Sequence, residues 1–301
     1  MAVPITVGIP TWARGTRVIG TIERILACAP PPAEIIVHVD ASDGTLEKVL
    51  SERFPQVRLL SSPHRVGPGG GRHRCLLAAA QPYFASFDDD SWPVDGDYFG
   101  ALLALFAALP DTALLAAPIT HPWEQLPPRS ELSEPVVMFT GCGWAVRRAD
   151  YLACPGFVDR PFAYGVEELD LALQFYCSGL GIRRSASLRV FHDTTLAHHR
   201  NPRQTAASIQ NVALLAWMRY PWSLFGRAIL QIINMVVDQI RRGRYRGVVT
   251  GLIGIPWVLC TNRHRRSPAA ADLVVGFLTK RGTPGRCPVN KPNGALNEVE
   301  S

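Results

Sequence analysis

The chain has 301 residues, 47% of them hydrophobic and 19% charged, enough to bury a substantial core and outside the composition of a disordered segment. Its net charge of +6 is uneven: residues 241–301 hold eleven Lys/Arg against Asp272, Glu298 and Glu300, a net +8 that leaves −2 on the first 240. A basic tail on a mildly acidic body suits an anionic partner such as membrane headgroups or nucleic acid, or simply a solvated basic surface.

The N-terminal MAVPITVGIP is strand-like from its start and lacks a basic region followed by a long apolar core, so no secretory signal is expected. Ile5–Pro10 reads as a strand and Arg17–Ala27 as a helix. Glu34–Asp40 (EIIVHVD) reads as a second, β-branched strand, with Ser42 as cap of a helix over Thr45–Arg53. Val57–Ser61, a glycine-opened helix over Gly69–Ala80, a strand over Tyr83–Phe87 and an apolar helix over Tyr98–Leu109 continue the alternation. A strand over Leu114–Ile119, a Pro-rich loop over His121–Pro135, Val136–Val146, a helix around Glu168–Ser178 and Ile182–His192 follow. This pattern predicts an α/β fold with a mostly parallel central sheet flanked by helices. Such sheets bind ligands beyond the carboxyl ends of their strands. Pro10-Thr11, Asp40 and Asp88–Asp90 all fall there.

The Asp88-Asp89-Asp90 triplet raises the sharpest chemical question, because adjacent negative charges repel. At a strand end, Asp88 and Asp90 share a face while Asp89 points elsewhere. Two hard carboxylates suit Mg²⁺ or Mn²⁺ with substrate phosphates completing the shell; a turn capping the next helix is the alternative for the triplet alone. The second cluster, GVEELDLALQF, carries Glu167, Glu168 and Asp170. Helical spacing puts Glu167 and Asp170 on one face with Glu168 turned away, and charge matching to the helix dipole is the plain alternative. His192 ends a strand-like RVFHD, and Trp144 sits in GCGWAV, with core packing as its plain reading.

Cys28, Cys75, Cys142, Cys154, Cys177, Cys260 and Cys287 are scattered, with no CxxC pair. Reduced thiols and a cytoplasmic location are expected rather than a disulfide framework or zinc site. The AHHR at residues 197–200 lacks the separated ligands of a zinc site.

PITVGIPTWARG, EIIVHVDASDGT, HRVGPGGGRHRCLLAA, FASFDDDSWP and FAYGVEELDLALQFYCSGLGIRRSASLRVFHD, in this order and spacing, resemble the family 2 glycosyltransferases over roughly residues 3–220. The resemblance implies a GT-A-type fold and transfer of a sugar from a nucleoside diphosphate donor to a saccharide, lipid-linked or small-molecule acceptor. It implies donor binding at Pro10, Thr11, Asp40, Arg72, Asp88 and Asp89. It further implies Mn²⁺ or Mg²⁺ on Asp88, Asp90 and His192, and an inverting general base at Glu168 or its neighbour Glu167. Trp144 and Asp170 are expected on the acceptor side. His73 replaces the usual Asn after Arg72, and no QxxRW follows, so transfer of one sugar is expected rather than chain extrusion. A nucleotidyltransferase would want a Gly-rich basic loop after the first strand, of which PTWARGTR is a poor version. A non-catalytic nucleic-acid or membrane-binding protein would leave both acidic clusters unexplained, and no nucleic acid partner is expected.

Residues 1–220 are expected to form the catalytic domain and 221–301 a helical, basic extension. Between Ser223 and Ile240 the polar residues Arg227, Gln231, Asn234 and Asp238 form one narrow stripe on an apolar helix. RRGRYRG and the sixteen uncharged residues of GVVTGLIGIPWVLCTN follow, a stretch short of the ~20 needed to span a bilayer. Residues 223–266 are expected to lie on a membrane surface, peripheral to its inner face, or to pack against the catalytic domain or a second subunit of a homodimer.

Overall fold

The computed structural model describes residues 1–12, 15–162, 166–194 and 201–282. The AHHR segment and the last residues of the basic tail lie outside them. Strands and helices alternate through β1 (Val3–Thr11), α1 (Gly15–Leu26), β2 (Pro32–Asp40), α2 (Thr45–Arg53), β3 (Arg58–Ser62), α3 (Gly67–Ala78) and β4 (Tyr83–Ser86). Next come β5 (Ser91–Pro93), α4 (Tyr98–Ala108), β6 (Thr112–Ala116), β7 (Ile119–Thr120), β8 (Ser133–Val136), β9 (Trp144–Arg147) and α5 (Arg148–Leu152). The chain continues with α6 (Glu167–Cys177), β10 (Gly181–Ser185), β11 (Val190–His192), α7 (Pro202–Arg219), α8 (Phe225–Arg241), α9 (Val248–Thr261) and α10 (Ala271–Gly282).

Eight strands form one sheet in the order β3-β2-β1-β4-β9-β6-β10-β8, and β5-β11-β7 form a second. The first four are parallel, whereas β9 runs antiparallel between β4 and β6 and β8 lies antiparallel on β10. Alternation along β1 and β2 explains the two-sided core. Ile5, Val7, Ile9, Ile35, Val37 and Val39 pack on the side of α1 and α4, while Ile36 joins Cys75 and Leu76 of α3 on the other.

Three local expectations change. The Ile182–His192 segment splits, since β10 completes the large sheet and β11 belongs to the small one, where it brings His192 beside Ser91. Ser42 does not cap α2; Gly44 holds the cap position at a φ of 84°, and Asp43 Oδ1 accepts from Thr45 N–H at 2.9 Å. The boundary at residue 220 does not divide the core. Val274 and Phe277 of α10 are buried in the same cluster as α6 and the large sheet, as is Ala228 of α8.

The helices after residue 200 are fastened by α7. Asn201 caps it, its Oδ1 accepting from Arg203 N–H at 2.9 Å, with Pro202 in the first turn. Gly247, between α8 and α9, has a φ of 97°, and a Cβ there would lie 2.1 Å from the Pro202 carbonyl oxygen. Only glycine permits both this backbone and this approach. No helix among the described residues is long and apolar enough to cross a membrane.

Candidate active site

The carboxyl edge of the sheet gathers the first residues of the site. Thr11 ends β1, and its hydroxyl donates to Asp89 Oδ2 at 2.7 Å in a buried contact. The Asp89 carbonyl accepts from the Thr21 hydroxyl at 2.9 Å. Asp89 is thus turned into the protein, where it fastens β1 and α1 to the turn after β4. Asp40 ends β2 and is buried; its Oδ1 and Oδ2 accept from the N–H groups of Val66 and Gly67 at 2.8 and 2.9 Å. Asp40 therefore shapes the entry to α3, where Gly67 has a φ of 76° and a Cβ would meet the Arg160 carbonyl oxygen at 1.8 Å. Pro10 lies under Gly71 of the same helix.

The other two aspartates have cationic neighbours. Asp88 Oδ1 is ion-paired with Arg72 Nη2. Asp90 Oδ2 lies 3.1 Å from Arg17 Nη1, and its Oδ1 lies 3.1 Å from His192 Nε2. His192 Nε2 is also 3.9 Å from Asp88 Oδ2. The triplet is tolerable because each carboxylate has a different neighbour: Arg72, Thr11, or Arg17 with His192. Burial alone would lower the His192 pKa, but Cys142, Asp90 and Asp88 outweigh it and hold it up at about 11.

Glu167 and Glu168 open α6 against this cluster. Arg72 is almost fully buried, and its Nη1 lies 3.7 Å from Glu168 Oε1 while Nη2 holds Asp88. One guanidinium thus connects both acidic clusters. Burial raises the pKa of Glu168 well above the carboxylate range, Glu167 adds to the rise, and Arg72 opposes it. Burial also raises Glu167, again against Arg72. In return the carboxylates hold Arg72 firmly protonated although burial works the other way.

Asp170 and Trp144 are not at this cleft. Residues on a helix step by about 100°, so Asp170 lies well around α6 from Glu168 and points into the core. There it makes a buried two-bond pair with Arg219 of α7, at 2.6 and 3.0 Å. Trp144 is 1% exposed. Its Nε1 donates to the Gly141 carbonyl at 3.0 Å, and its ring packs among Phe84, Phe139 and Phe157. Both acceptor-side expectations give way to structural ones. His73 also faces away, with Nδ1 2.7 Å from the Tyr151 hydroxyl.

Two residues at the centre escaped the sequence reading. Arg17 belongs to α1 and reaches Asp90 from across the fold, which no local pattern announces. Cys142 is buried, and its Sγ lies with a carboxylate oxygen of Asp88 and a ring nitrogen of His192, all within 4.8 Å of one another. Paired spacing signals cysteine ligands in sequence, and Cys142 has no such partner. These oxygen, nitrogen and sulfur donors lie close enough together to hold a divalent cation once the imidazole of His192 has given up its proton.

Residues 6–152 match the family model for glycosyl transferase family 2. The chain carries a family 2 glycosyltransferase region. Its fold is that of the GT-A glycosyltransferases. It superposes on S. aureus TarS with a TM-score of 0.53 at 16% identity, covering 72% of this chain and 64% of that one. A mannosyltransferase from Pyrobaculum calidifontis, PcManGT, in complex with GDP-Man and Mn²⁺, gives 0.55 at 14%, covering 94% and 82%. GalNAc-T7, with UDP, GalNAc and Mn²⁺, gives 0.56 at 12%, covering 71% and 48%. The chain spans less than two thirds of the TarS and GalNAc-T7 chains it matches. No curated protein matches it significantly.

Proposed function

We propose that this protein transfers one sugar from a nucleoside diphosphate donor to an acceptor hydroxyl, with inversion at the anomeric carbon and Glu168 as general base. The observation that carries this is the shared guanidinium: Arg72 touches Asp88 and lies 3.7 Å from Glu168, so the proposed donor-side and base-side carboxylates lie on either side of one side chain. A transfer reaction needs that juxtaposition, because donor and acceptor must meet within a sugar's width.

The donor enters over the carboxyl edge of β1, β2 and β4, with Pro10, Thr11 and the Asp40-shaped loop on its nucleoside side. Asp88, Asp90 and His192, joined by Cys142, would hold a divalent cation, which would supply Lewis-acid stabilisation of the charge on the departing diphosphate. Arg72 keeps positive charge beside Asp88 and restrains the pKa of Glu168. The acceptor oxygen forms its bond to the anomeric carbon as the bond to the diphosphate oxygen breaks. That electron pair leaves with the nucleoside diphosphate, and the hydroxyl proton passes to Glu168. Glu167 is the alternative base, since it shares the buried first turn of α6.

Thermal melting with UDP or GDP and Mn²⁺, followed by transfer assays, tests the reading. The wild type is expected to gain stability with one nucleotide plus Mn²⁺. Asp90→Ala should abolish the gain, and Glu168→Gln should keep it while losing transfer by about 10²–10⁴-fold. Pyrophosphate release from a nucleoside triphosphate would instead favour nucleotidyl transfer, and no response to any nucleoside diphosphate would overturn both.

A further inference from the structure

We infer that α8, α9 and the arginine-rich turn joining them form a docking face for an anionic lipid surface. The face deepens the proposed function by naming a partner, yet it stands on different residues.

Helix α8 is turned inside out relative to an ordinary surface helix. The residues it buries are Ala228 and Gln239, and Gln231 accepts a hydrogen bond from the Tyr220 hydroxyl at 3.0 Å. Ile229, Leu230, Ile233, Val237 and Ile240 are exposed, Leu230 by 60%. Helix α9 repeats the arrangement. It presses Val248, Gly251 and Val258 inward, the glycine against Ala206 of α7, and exposes Val249, Leu252, Ile253 and Trp257. Ile253 and Trp257 are each 74% exposed. The spacings 249, 253, 257 and 229, 233, 237, 240 put each set along one side of its helix. Two successive helices, both packed on α7, with such surfaces exceed the scattered single apolar residues that a soluble face carries.

Charge selects the occupant. Residues 223–266 contain eight arginines and one acidic residue, Asp238, which Arg242 neutralises at 2.7 Å. Arg241, Arg244 and Arg246 remain at the turn, and Arg263 follows α9. A second copy of this chain would bring the same arginines to the contact, where they repel. Phosphate headgroups would pair with them while their acyl chains cover the apolar residues. Trp222, Tyr245 and Trp257, all exposed, are the side chains that favour the boundary between headgroup and acyl chain.

The face is mechanically joined to the active site through α7. Gln210 of α7 lies against Gly254 of α9. The next residue, Asn211, accepts from Arg160 Nε at 2.8 Å and donates to the Phe162 carbonyl at 3.0 Å. Those residues belong to the loop that leads towards Glu167 and Glu168. A surface docked on α8 and α9 would therefore be one helix removed from the loop that leads to Glu168, which suits an acceptor carried on a lipid.

Flotation of the full chain with vesicles decides the matter, and it needs neither donor nor metal. Vesicles of phosphatidylcholine containing phosphatidylglycerol should carry the protein. Vesicles of phosphatidylcholine alone should carry at least tenfold less, and high salt should release it. Trp257 fluorescence should shift to the blue on binding. Ile253→Ser with Trp257→Ser, and separately Arg241→Glu with Arg244→Glu and Arg246→Glu, should each lower binding at least tenfold with unchanged melting temperature and unchanged nucleotide response. Equal binding to both vesicle types would overturn the electrostatic part. Failure to float, with a concentration-dependent dimer that Ile253→Ser and Trp257→Ser disrupt, would give the face to a second copy. Failure of both would overturn the docking face outright and leave the transferase reading untouched.

Discussion

Arg72 lies 3.7 Å from Glu168 and holds Asp88 with its other nitrogen, so the fate of the proposed base is tied to a single buried cation. Replacing Arg72 by Met leaves Asp88 and the two glutamates without their common neighbour. Breaking a buried pair costs about 3–5 kcal/mol, to be read from denaturant melts. The Glu168 pKa should rise further in this variant, moving the acidic limb of the transfer rate to higher pH. A variant that loses stability with no movement of that limb would separate Arg72 from the base.

Glu168 also makes pH a stability variable. Burial and Glu167 hold its pKa above the unfolded value, and Arg72 opposes them, with Asp88 contributing to the rise. A proton is thus bound more tightly in the folded chain. The resulting stabilisation is full below the ordinary Glu pKa of about 4.3 and is lost as pH rises through the raised folded value. Glu168→Gln cannot ionise, so its melting temperature should gain on the wild type as pH increases through that window. Melts of both proteins across the range check the sign; a constant difference would contradict it.

The aspartate triplet should divide into two phenotypes. Asp89→Asn disturbs the buried contact with Thr11 and should cost about 1–3 kcal/mol, while Mn²⁺ still raises the melting temperature with nucleotide. Asp90→Asn should lose the Mn²⁺ effect altogether, with some loss of stability as well, because the buried Asp90 is paired with His192 and Arg17. Titration of each variant with Mn²⁺ distinguishes them.

Asp170 should behave as a structural residue although it stands two positions from Glu168. Asp170→Ala leaves Arg219 buried and uncompensated, at a cost of about 3–5 kcal/mol, and Asp170→Leu with Arg219→Met should recover much of it. Denaturant melts measure both. Nucleotide affinity of the folded fraction should not change.

Strands and helices up to residue 109, β5 apart, were legible because the apolar runs are short and ended by glycine, proline or aspartate. Residues around β8, β9 and β11 were not, because their partners are distant in sequence: β9 inserts antiparallel between β4 and β6, and β11 leaves the large sheet. The candidate site divides the same way. The two acidic clusters announce themselves by residue type, and Asp88, Glu168 and Arg72 do converge in space. Which acid faces the cleft was harder to read. Spacing joined Asp170 to Glu167, but the pull of a buried arginine on α7 took it inward. Trp144 carried an ambiguity of sugar platform against core, and four aromatic rings packed together resolved it. Arg17 and Cys142 had no readable partner, since contacts across fifty or more residues leave no local trace.

Gly247 leaves no clearance above the Pro202 carbonyl, and that closeness reaches beyond the turn itself. The joint of α8 and α9 is thereby packed against the first turn of α7. A methyl group at this position would have to lever them away. Whatever the outer helices rest on thereby sets the angle at which the cleft is presented, and that angle is built into the backbone rather than chosen on contact.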